Sequence, residues 1–426
     1  MKKIRSDELE KDFFEPEEPT ELPQVSSLLK EIKEKGDRAI RELTQRYDRV
    51  YLKKFEVSPK ERRQAYSKVG KDLVSSLKKA ARNIKKFSQK QLENYREFEY
   101  EMEPGVITGQ KIFPLQSVGV YVPGGRYPLF SSLLMGVIPA RTAGVNEIHV
   151  CSPPSQKETL DPAILVASDM AGVDSLYKMG GVQAVGAFAY GTQSVPRVDK
   201  IVGPGNKYVN AAKKSVWGVV DIDFTAGPTE VMIIADEQAH PVYVAADLIA
   251  QAEHDSEAFP LLVTDSNIVA SKVEENIEKQ LKELRVSSVA KESLDNNGLI
   301  LFVRNMEEAV GLANKRAPEH LELQVKNPQD YLPFLKNYGS LFLGPYSAEV
   351  LGDYSSGLNH ILPTHFASRY TGGLGVKDFL KIQTYLKVKE KGFLRIAPVA
   401  RFMAEAEGME GHANSIRVRM KDNPSF

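Results

Sequence analysis

Short apolar runs alternate with helix-like stretches through the middle of the chain. Residues 117–122 and 147–151 are apolar runs, and residues 131–143 between them have helical character. Apolar runs of this length, bounded by Gly or Pro, are typical of strands inside a sheet. The three segments predict a βαβ unit, which a helix over 161–171 and a strand over 199–202 continue.

A second series of the same kind begins at residue 231. Its predicted strands are 231–235, 260–264, 298–303 and 340–343, and its predicted helices are 241–254, 268–285 and 306–315. Strands that alternate with helices favour mostly parallel sheets. The fold class is therefore α/β with two sheet domains.

The remaining segments differ in composition and in hydrophobic pattern. Residues 1–24 are acidic and contain proline, which predicts an arm, and residues 25–47 and 71–98 predict two charged amphipathic helices. We expect a first α/β domain from 25–118 with 231–374, including the helical N-terminal part. A second α/β domain spans 119–230, and a small C-terminal domain spans 375–426.

The composition excludes several classes of function. The 426 residues carry 56 Lys plus Arg and 56 Asp plus Glu, so the net charge is zero and no nucleic-acid partner is expected. No apolar run approaches the roughly 20 residues of a membrane span. The single cysteine, Cys151, permits no internal disulfide, which fits a cytoplasmic location.

Four of the seven histidines lie in four short polar segments, and histidine is the usual proton carrier and metal ligand at neutral pH. The segments are 251–255, 317–323, 352–360 and 407–415. Their clustering is the first indication of function.

Three of these segments offer metal ligands. Gln251 and His254 are three apart in a predicted helix and so share a face. With Asp353 and His412 they make a ligand set that suits zinc or a similar divalent ion. The alternative for Gln251 and His254 is a capped helix end with a surface histidine, and for Asp353 ordinary turn chemistry.

Glu319 and His320 could form an acid–base pair, with His320 as general base and Glu319 activating water. Adjacent strand residues point to opposite faces, so both serve one site only if the backbone bends there. The alternative is a salt bridge at a strand entry. Cys151 is a conceivable nucleophile, but it lies in a buried strand and is expected to be structural.

Glycine-rich turns at 123–125 and 203–205 follow apolar strands. Each could let a dinucleotide phosphate approach the backbone, although neither has the spacing G-x-G-x-x-G and a plain loop is the alternative.

From about residue 20 to 420 the chain resembles the histidinol dehydrogenase family. The resemblance is carried by phrases such as Gln-Ala-Glu-His-Asp at 251–255 and Ala-Pro-Glu-His-Leu-Glu at 317–322. The other matching phrases lie at 118–125, 180–185, 202–209, 226–231, 351–354, 359–364 and 407–415. Their order and spacing agree with the family.

The resemblance implies two incomplete Rossmann-like domains and a two-step, NAD-dependent oxidation of L-histidinol to L-histidine through an aldehyde. It implies one Zn²⁺ per subunit and a homodimer in which the C-terminal segment completes the partner's site. The implied metal ligands are Gln251, His254, Asp353 and His412, and the implied catalytic pair is Glu319 and His320. The implied substrate contacts are Thr229, His360 and Glu407 together with the metal ligands and His320, and the implied NAD contacts are Tyr121, Gln183 and Asn206.

Two departures from the family bear on substrate choice. Thr229 stands where Ser is common, and Gly357-Leu358 replaces the usual Gly-Pro before Asn359 and His360. One alternative keeps the zinc and NAD but oxidises another small polar alcohol, such as a sulfonated diol. Glu407 argues against it, since a carboxylate suits the amino group of histidinol. The other alternative is a non-catalytic zinc-stabilised dimer.

Overall fold

The computed structural model describes residues 1–15, 22–124, 127–225, 227–285 and 287–421. Part of the predicted arm (16–21), Gly125 of the first glycine-rich turn and Ala226 of the phrase 226–231 lie outside these ranges. Contacts between residues divide the chain into two compact units. The large unit comprises Met1–Leu92 and Leu115–Phe379, and the small unit comprises Glu93–Pro114 and Leu380–Phe426.

The strands are numbered in chain order. They are β1 Lys2–Arg5, β2 Phe98–Glu103, β3 Val106–Pro114, β4 Ser117–Tyr121, β5 Glu147–Ser152, β6 Ser175–Lys178, β7 Lys200–Val202, β8 Asp221–Ile222, β9 Glu230–Ala235, β10 Phe259–Thr264, β11 Leu299–Phe302, β12 His320–Gln324, β13 Ser340–Leu343 and β14 Leu380–Val388.

The α-helices are numbered in the same way. They are α1 Pro23–Lys35, α2 Asp37–Tyr47, α3 Pro59–Ala65, α4 Lys71–Leu92, α5 Phe130–Ala143, α6 Pro162–Ala171, α7 Gly181–Tyr190, α8 Lys207–Val216, α9 Pro241–Ala252, α10 Asn267–Glu283, α11 Ser288–Asn296, α12 Met306–Arg316, α13 Pro328–Tyr331, α14 Glu349–Tyr354, α15 Glu390–Ala406 and α16 Glu410–Lys421.

The large unit contains two parallel sheets, which confirms the predicted α/β class. One has five strands in the order β6-β5-β4-β7-β8, and the other has six in the order β1-β11-β10-β9-β12-β13. In the five-stranded sheet the chain leaves β4 in one direction and returns to its other side with β7. The gap between β4 and β7 is therefore the topological switch point, where ligands bind in open α/β sheets.

The central strands of both sheets are buried on their two faces, as is typical of parallel sheets. Every residue of β4 and of β9 is buried, and α5 and α7 are almost fully buried helices that cover the five-stranded sheet. At α5 the helix ends on Gly144, whose left-handed φ of 96° lets its N–H cap the last turn.

Several element boundaries differ from the sequence predictions. The helix predicted over 25–47 is divided at Gly36, whose φ of 55° breaks the helical path. The helix predicted over 71–98 ends at Leu92, and residues 98–103 form a strand. Residues 2–5 of the predicted arm pair with β11 as an edge strand.

The small unit has an antiparallel sheet that the sequence analysis did not predict. Its strand order is β14-β3-β2, and α15 and α16 follow in the chain. The predicted domain 375–426 thus differs from this unit, because strand β14 pairs with a hairpin from residues 98–114. Among the described helices, none is long and apolar enough to cross a membrane.

Candidate active site

The backbone of Glu230 holds the predicted pair Glu319 and His320. Its N–H donates to Glu319 Oε2 at 3.0 Å, and its C=O lies 3.1 Å from His320 Nδ1. The chain bends before the pair, since Ala317 has a φ of 51° at the end of α12. Glu319 precedes β12 and His320 opens it, so both side chains reach the first residue of β9. The required bend is therefore present.

The His320 ring is arranged to accept a proton at one nitrogen. Because Nδ1 faces a carbonyl oxygen, it carries the hydrogen, and Nε2 keeps its lone pair. Nε2 is buried and has no hydrogen-bond partner among the described residues. Burial lowers the pKa of His320 to about 4, so the imidazole is neutral near pH 7.

Glu319 is also buried, and its carboxyl group is hydrogen-bonded to a hydroxyl. Thr229 Oγ1 lies 2.6 Å from Glu319 Oε2. Burial raises the pKa of Glu319 well above its ordinary value, against the lowering effect of the hydrogen bonds from Thr229 and Glu230. The chain thus places a carboxyl group of raised pKa beside an imidazole of lowered pKa, an arrangement suited to proton transfer.

Three ligand-type side chains meet close to this pair. Atoms of His254, Glu349 and Asp353 all lie within 4.8 Å of one another. Glu349 and Asp353 are four residues apart on α14 and so share a helix face. His254 lies just beyond α9, which ends at Ala252 and not at residue 254 as predicted. This geometry suits a divalent cation with nitrogen and oxygen ligands.

Gln251 lies between this cluster and Thr229. One end of its amide is 2.6 Å from Thr229 Oγ1, and the other is 2.8 and 2.9 Å from the two Glu349 oxygens. If the amide oxygen of Gln251 faces Glu349, it and the two carboxylate oxygens are all acceptors, with no donor hydrogen between them. The contact is satisfied either by rotating the amide or by a positive charge between the oxygens. A bound cation would supply that charge, so the donor set fits a metal.

His360 connects this region to the five-stranded sheet. Its Nδ1 lies 3.1 Å from the Asp353 carbonyl oxygen, and its Nε2 lies 2.9 Å from the Ser132 hydroxyl on α5. Asn359 donates to the Met135 carbonyl on the same helix at 2.8 Å. The segment that carries His360 therefore joins the metal-ligand cluster to the helix that follows β4.

The predicted NAD contacts surround the switch point of the five-stranded sheet. Tyr121 ends β4, and its hydroxyl accepts a hydrogen bond from the Gly181 N–H at 3.3 Å. Asn206 caps α8 after β7, using its carbonyl oxygen to accept from Tyr208 N and Val209 N. This cap leaves the Asn206 amide nitrogen for a ligand. Helix N-termini of this kind favour phosphate.

Gln183 contacts an acidic residue that the sequence analysis did not single out. Its Nε2 donates to Asp48 Oδ2 at 3.1 Å. Burial raises the pKa of Asp48 to about 6, although the bond from Gln183 opposes the shift. The crevice therefore holds a carboxyl group that is partly removed from water.

The remaining two predicted residues belong to the small unit. Glu407 follows α15 and His412 lies in the first turn of α16, and both are exposed. Gly408 between them has a φ of 75°, which turns the chain from one helix to the next.

Comparison with known proteins gives the family. The family model for histidinol dehydrogenase matches residues 15–420. The histidinol dehydrogenase of Clostridium acetobutylicum is 45% identical over 400 residues, 94% of this chain and 92% of the relative. That of Streptococcus mutans is 46% identical over 399 residues, again 94% and 92%.

The chain belongs to the histidinol dehydrogenase family. A crystal structure of histidinol dehydrogenase from Elizabethkingia anophelis superposes with a TM-score of 0.92 at 37% identity, covering 97% of this chain and 95% of that one. The predicted family and enzyme class, an NAD-dependent oxidoreductase of histidine biosynthesis, are confirmed.

Four residues near the site were not predicted from the sequence. They are Glu349, Glu230, Asp48 and Ser132. Glu349 alone had a usable signal, because it precedes Asp353 by one helical turn. The other three act through contacts between segments far apart in the chain, which no local spacing reveals.

Proposed function

We propose that this protein oxidises L-histidinol to L-histidine in two NAD-dependent steps, with the aldehyde held between them. The observation that carries the proposal is the Glu319–His320 pair on residue 230, close to the cluster of His254, Glu349 and Asp353. A neutral base, a buried carboxyl group and a cation site together suit the oxidation of an amino alcohol.

His320 is the general base. Its free Nε2 takes the hydroxyl proton of the substrate while the carbon–hydrogen bond breaks. NAD⁺, when bound, accepts the hydride from the substrate carbon in each oxidation. The Glu230 carbonyl holds the opposite ring nitrogen, so the imidazole keeps the correct tautomer and can stabilise the added charge.

Glu319 prepares the second oxidation. Its carboxylate removes a proton from a water molecule that adds to the aldehyde carbon. Protonated His320 returns its proton to the former carbonyl oxygen, which completes the hydrate and leaves the imidazole neutral again. His320 then takes a hydroxyl proton of the hydrate as the second hydride leaves. Thr229 orients Glu319 through its hydroxyl, 2.6 Å from Oε2. No covalent bond to the enzyme is needed, and burial raises the pKa of the Cys151 thiol well above its ordinary value.

Gln251, His254, Asp353 and His412 would hold Zn²⁺, one per subunit, and the position of Glu349 makes it a further candidate. The cation would bind nitrogen atoms of the substrate and fix the alcohol for reaction. Thr229, His360 and Glu407 are the further substrate contacts, with Glu407 facing the amino group.

Tyr121, Gln183 and Asn206 would contact NAD at the switch point between β4 and β7. The support is positional, because Tyr121 ends β4, while Gln183 and Asn206 follow β6 and β7, at the carboxyl edge of one parallel sheet. His360 and Ser132 connect this crevice to the catalytic pair's surroundings.

The chain forms a homodimer through its small unit, in which Glu407 and His412 enter the site of the second copy. One face of the small unit's sheet carries large apolar side chains that are more than half exposed, namely Phe98, Tyr100, Ile382 and Leu386. A face of this kind favours association. The dimer would work in the cytoplasm.

The test of this function compares substrates. Purified protein loaded with zinc should reduce NAD⁺ with L-histidinol, and a chelator should abolish the rate until zinc returns. Activity only with a sulfonated diol would favour a different alcohol. If folded, zinc-loaded protein reduced no NAD⁺ with either substrate, the result would contradict the proposal.

A further inference from the structure

The Arg316 side chain lies in a cage of three aromatic rings. Its guanidinium carbon is 5.2 Å from the centre of Phe13, 5.0 Å from Phe259 and 4.8 Å from Phe366. Only 18% of the side chain is exposed. Aromatic faces attract a guanidinium and restrict its rotation, so the cage fixes the direction in which Arg316 donates.

The guanidinium is directed at Glu230. Nε and Nη2 both donate to Glu230 Oε2, at 3.0 and 2.7 Å, and Nη1 donates to the Phe13 carbonyl at 3.1 Å. The Glu230 side chain is 5% exposed, so its charge has little water to stabilise it. Arg316 therefore neutralises a buried carboxylate and fixes its position at the same time.

Glu230 is the residue whose backbone holds the catalytic pair. Its N–H and C=O engage Glu319 and His320, respectively. Arg316 ends α12 only three residues before Glu319. The Arg316 side chain thus links the end of α12 to the start of β9, and the backbone of β9 in turn contacts the catalytic pair.

The cage itself draws on distant segments. Phe13 belongs to the N-terminal segment, and Phe366 follows His365 in a turn where both residues have left-handed φ values, 50° and 64°. Such values are costly for side chains other than glycine and persist only where surrounding contacts enforce them. The turn directs one ring to Arg316 and places His365 against Gly227, close to Thr229.

We propose that Arg316 is a positioning residue, which sets the Glu319–His320 pair through the carboxylate and backbone of Glu230. The inference rests on the proposed function, since it concerns the same two proton-transfer groups. Loss of Arg316 leaves the Glu230 carboxylate buried without its partner, and the first residue of β9 moves to hydrate it. The catalytic pair follows, while the metal ligands and the NAD crevice stay in place.

The test uses Arg316→Met, Arg316→Lys and the matched control Arg141→Met. Arg141 donates to Asp174 at 2.6 Å and to loop carbonyls, away from the catalytic pair. For each variant, kcat and the KM values for L-histidinol and NAD⁺ are measured per folded subunit, with the midpoint of thermal unfolding. A Glu230→Gln variant and its double with Arg316→Met complete a cycle.

We expect Arg316→Met to lower kcat by about tenfold or more, because displacements near 1 Å have that effect, with both KM values nearly unchanged. Arg316→Lys should recover part of the loss, since an ammonium can pair with Glu230 Oε2 but lacks the two fixed donors that the guanidinium directs at this oxygen. The double variant should be no slower than the slower single variant. Arg141→Met should lower the unfolding midpoint and leave kcat unchanged.

An unchanged kcat in folded Arg316→Met would overturn the inference, as would an effect matched by Arg141→Met. Wild-type protein that fails to oxidise histidinol would instead contradict the proposed function. The two failures are therefore distinguishable in one experiment.

Discussion

Glu319 is a buried carboxyl group, 6% exposed, that accepts hydrogen bonds from two donors. Thr229 and the Glu230 N–H both reach Oε2, so one oxygen is held and the other can face a water molecule. His320 is neutral near pH 7, since burial lowers its pKa to about 4 against the raising effect of the Asp353 charge. The two groups therefore have separable roles.

This separation predicts the behaviour of Glu319→Gln. The amide keeps the hydrogen-bonding shape but cannot remove a proton from water, so the first oxidation proceeds and the second stalls. We expect histidine formation to fall by about 10²-fold or more, with the aldehyde detectable by trapping. Histidine release at the wild-type rate would exclude Glu319 as the water-activating base.

Asp48 predicts an effect of pH on stability. Burial raises the pKa of Asp48 in the folded state to about 6, from an ordinary value of 3.8. The buried side chain is therefore most stable when it is protonated. The associated stability is present at low pH and is lost as pH rises through about 6.

Asp48→Asn removes the buried charge and can still accept from Gln183. Allowing for its partial exposure, the variant should be more stable than wild type by about 1–2 kcal/mol at pH 8, with little difference at pH 4. Denaturant unfolding at both pH values measures this. A wild-type protein that is the more stable one at pH 8 would show that the carboxylate has a favourable partner instead.

Among the strands and helices, the proposed site draws on opposite edges of two sheets. The proposed catalytic pair lies at the amino ends of β9 and β12, whereas the proposed NAD crevice lies at the carboxyl ends of β4 and β7. The segment carrying His360 joins them through Ser132. The backbone near Glu319 is tightly packed.

Gly339 shows how tight that packing is. A Cβ added there would lie 2.5 Å from the Glu319 carbonyl oxygen, and the Gly339 N–H donates to Pro318 O at 2.9 Å. Gly339→Ala should therefore displace Glu319, lower kcat by about tenfold or more and destabilise the fold by about 1–3 kcal/mol.

Gly311→Ala is the matched control. Gly311 lies in α12 with nothing within 4 Å of an added Cβ, so alanine there should stabilise the helix by about 0.5–1 kcal/mol and leave kcat unchanged. The activity and the unfolding midpoint are measured for both variants and compared with the wild type. A fully active Gly339→Ala enzyme would mean that the strand start near Glu319 adapts freely.

Much of this architecture follows from local pattern. The apolar runs at 117–122 and 231–235 predicted parallel strands because buried strands leave no polar face, and the observed strands differ from them by one residue. The hairpin over 98–114 was missed although Phe98, Tyr100 and Met102 alternate with glutamates as in a strand, because the helical pattern of α4 was extended to residue 98. The contacts of Glu230 could not be predicted either, since they join residues about 90 positions apart.

At the scale of the whole molecule, the proposed dimer gives the small unit its role. Glu407 and His412 lie on either side of the turn from α15 to α16, where they are exposed and can meet a second copy. A site built from two chains has a direct consequence for mixed dimers.

Subunits carrying Glu319→Gln and subunits carrying His412→Ala should each form almost no histidine alone, so histidine formation is the activity measured. After co-refolding in equal amounts, half of the dimers contain one copy of each, and one of their two sites is free of both substitutions. We expect about a quarter of wild-type activity to return. Mixtures that stay inactive, although mixed dimers are shown to form, would place both groups in the same subunit's site.

The most direct test of the account is the stoichiometry of the complete reaction. Zinc-loaded protein is given a limiting amount of L-histidinol and excess NAD⁺, and NADH and histidine are measured at completion. Two NADH per histidinol, with histidine as the product and no free aldehyde, is the predicted result. One NADH with aldehyde released to solution, or no NADH at all, would contradict it.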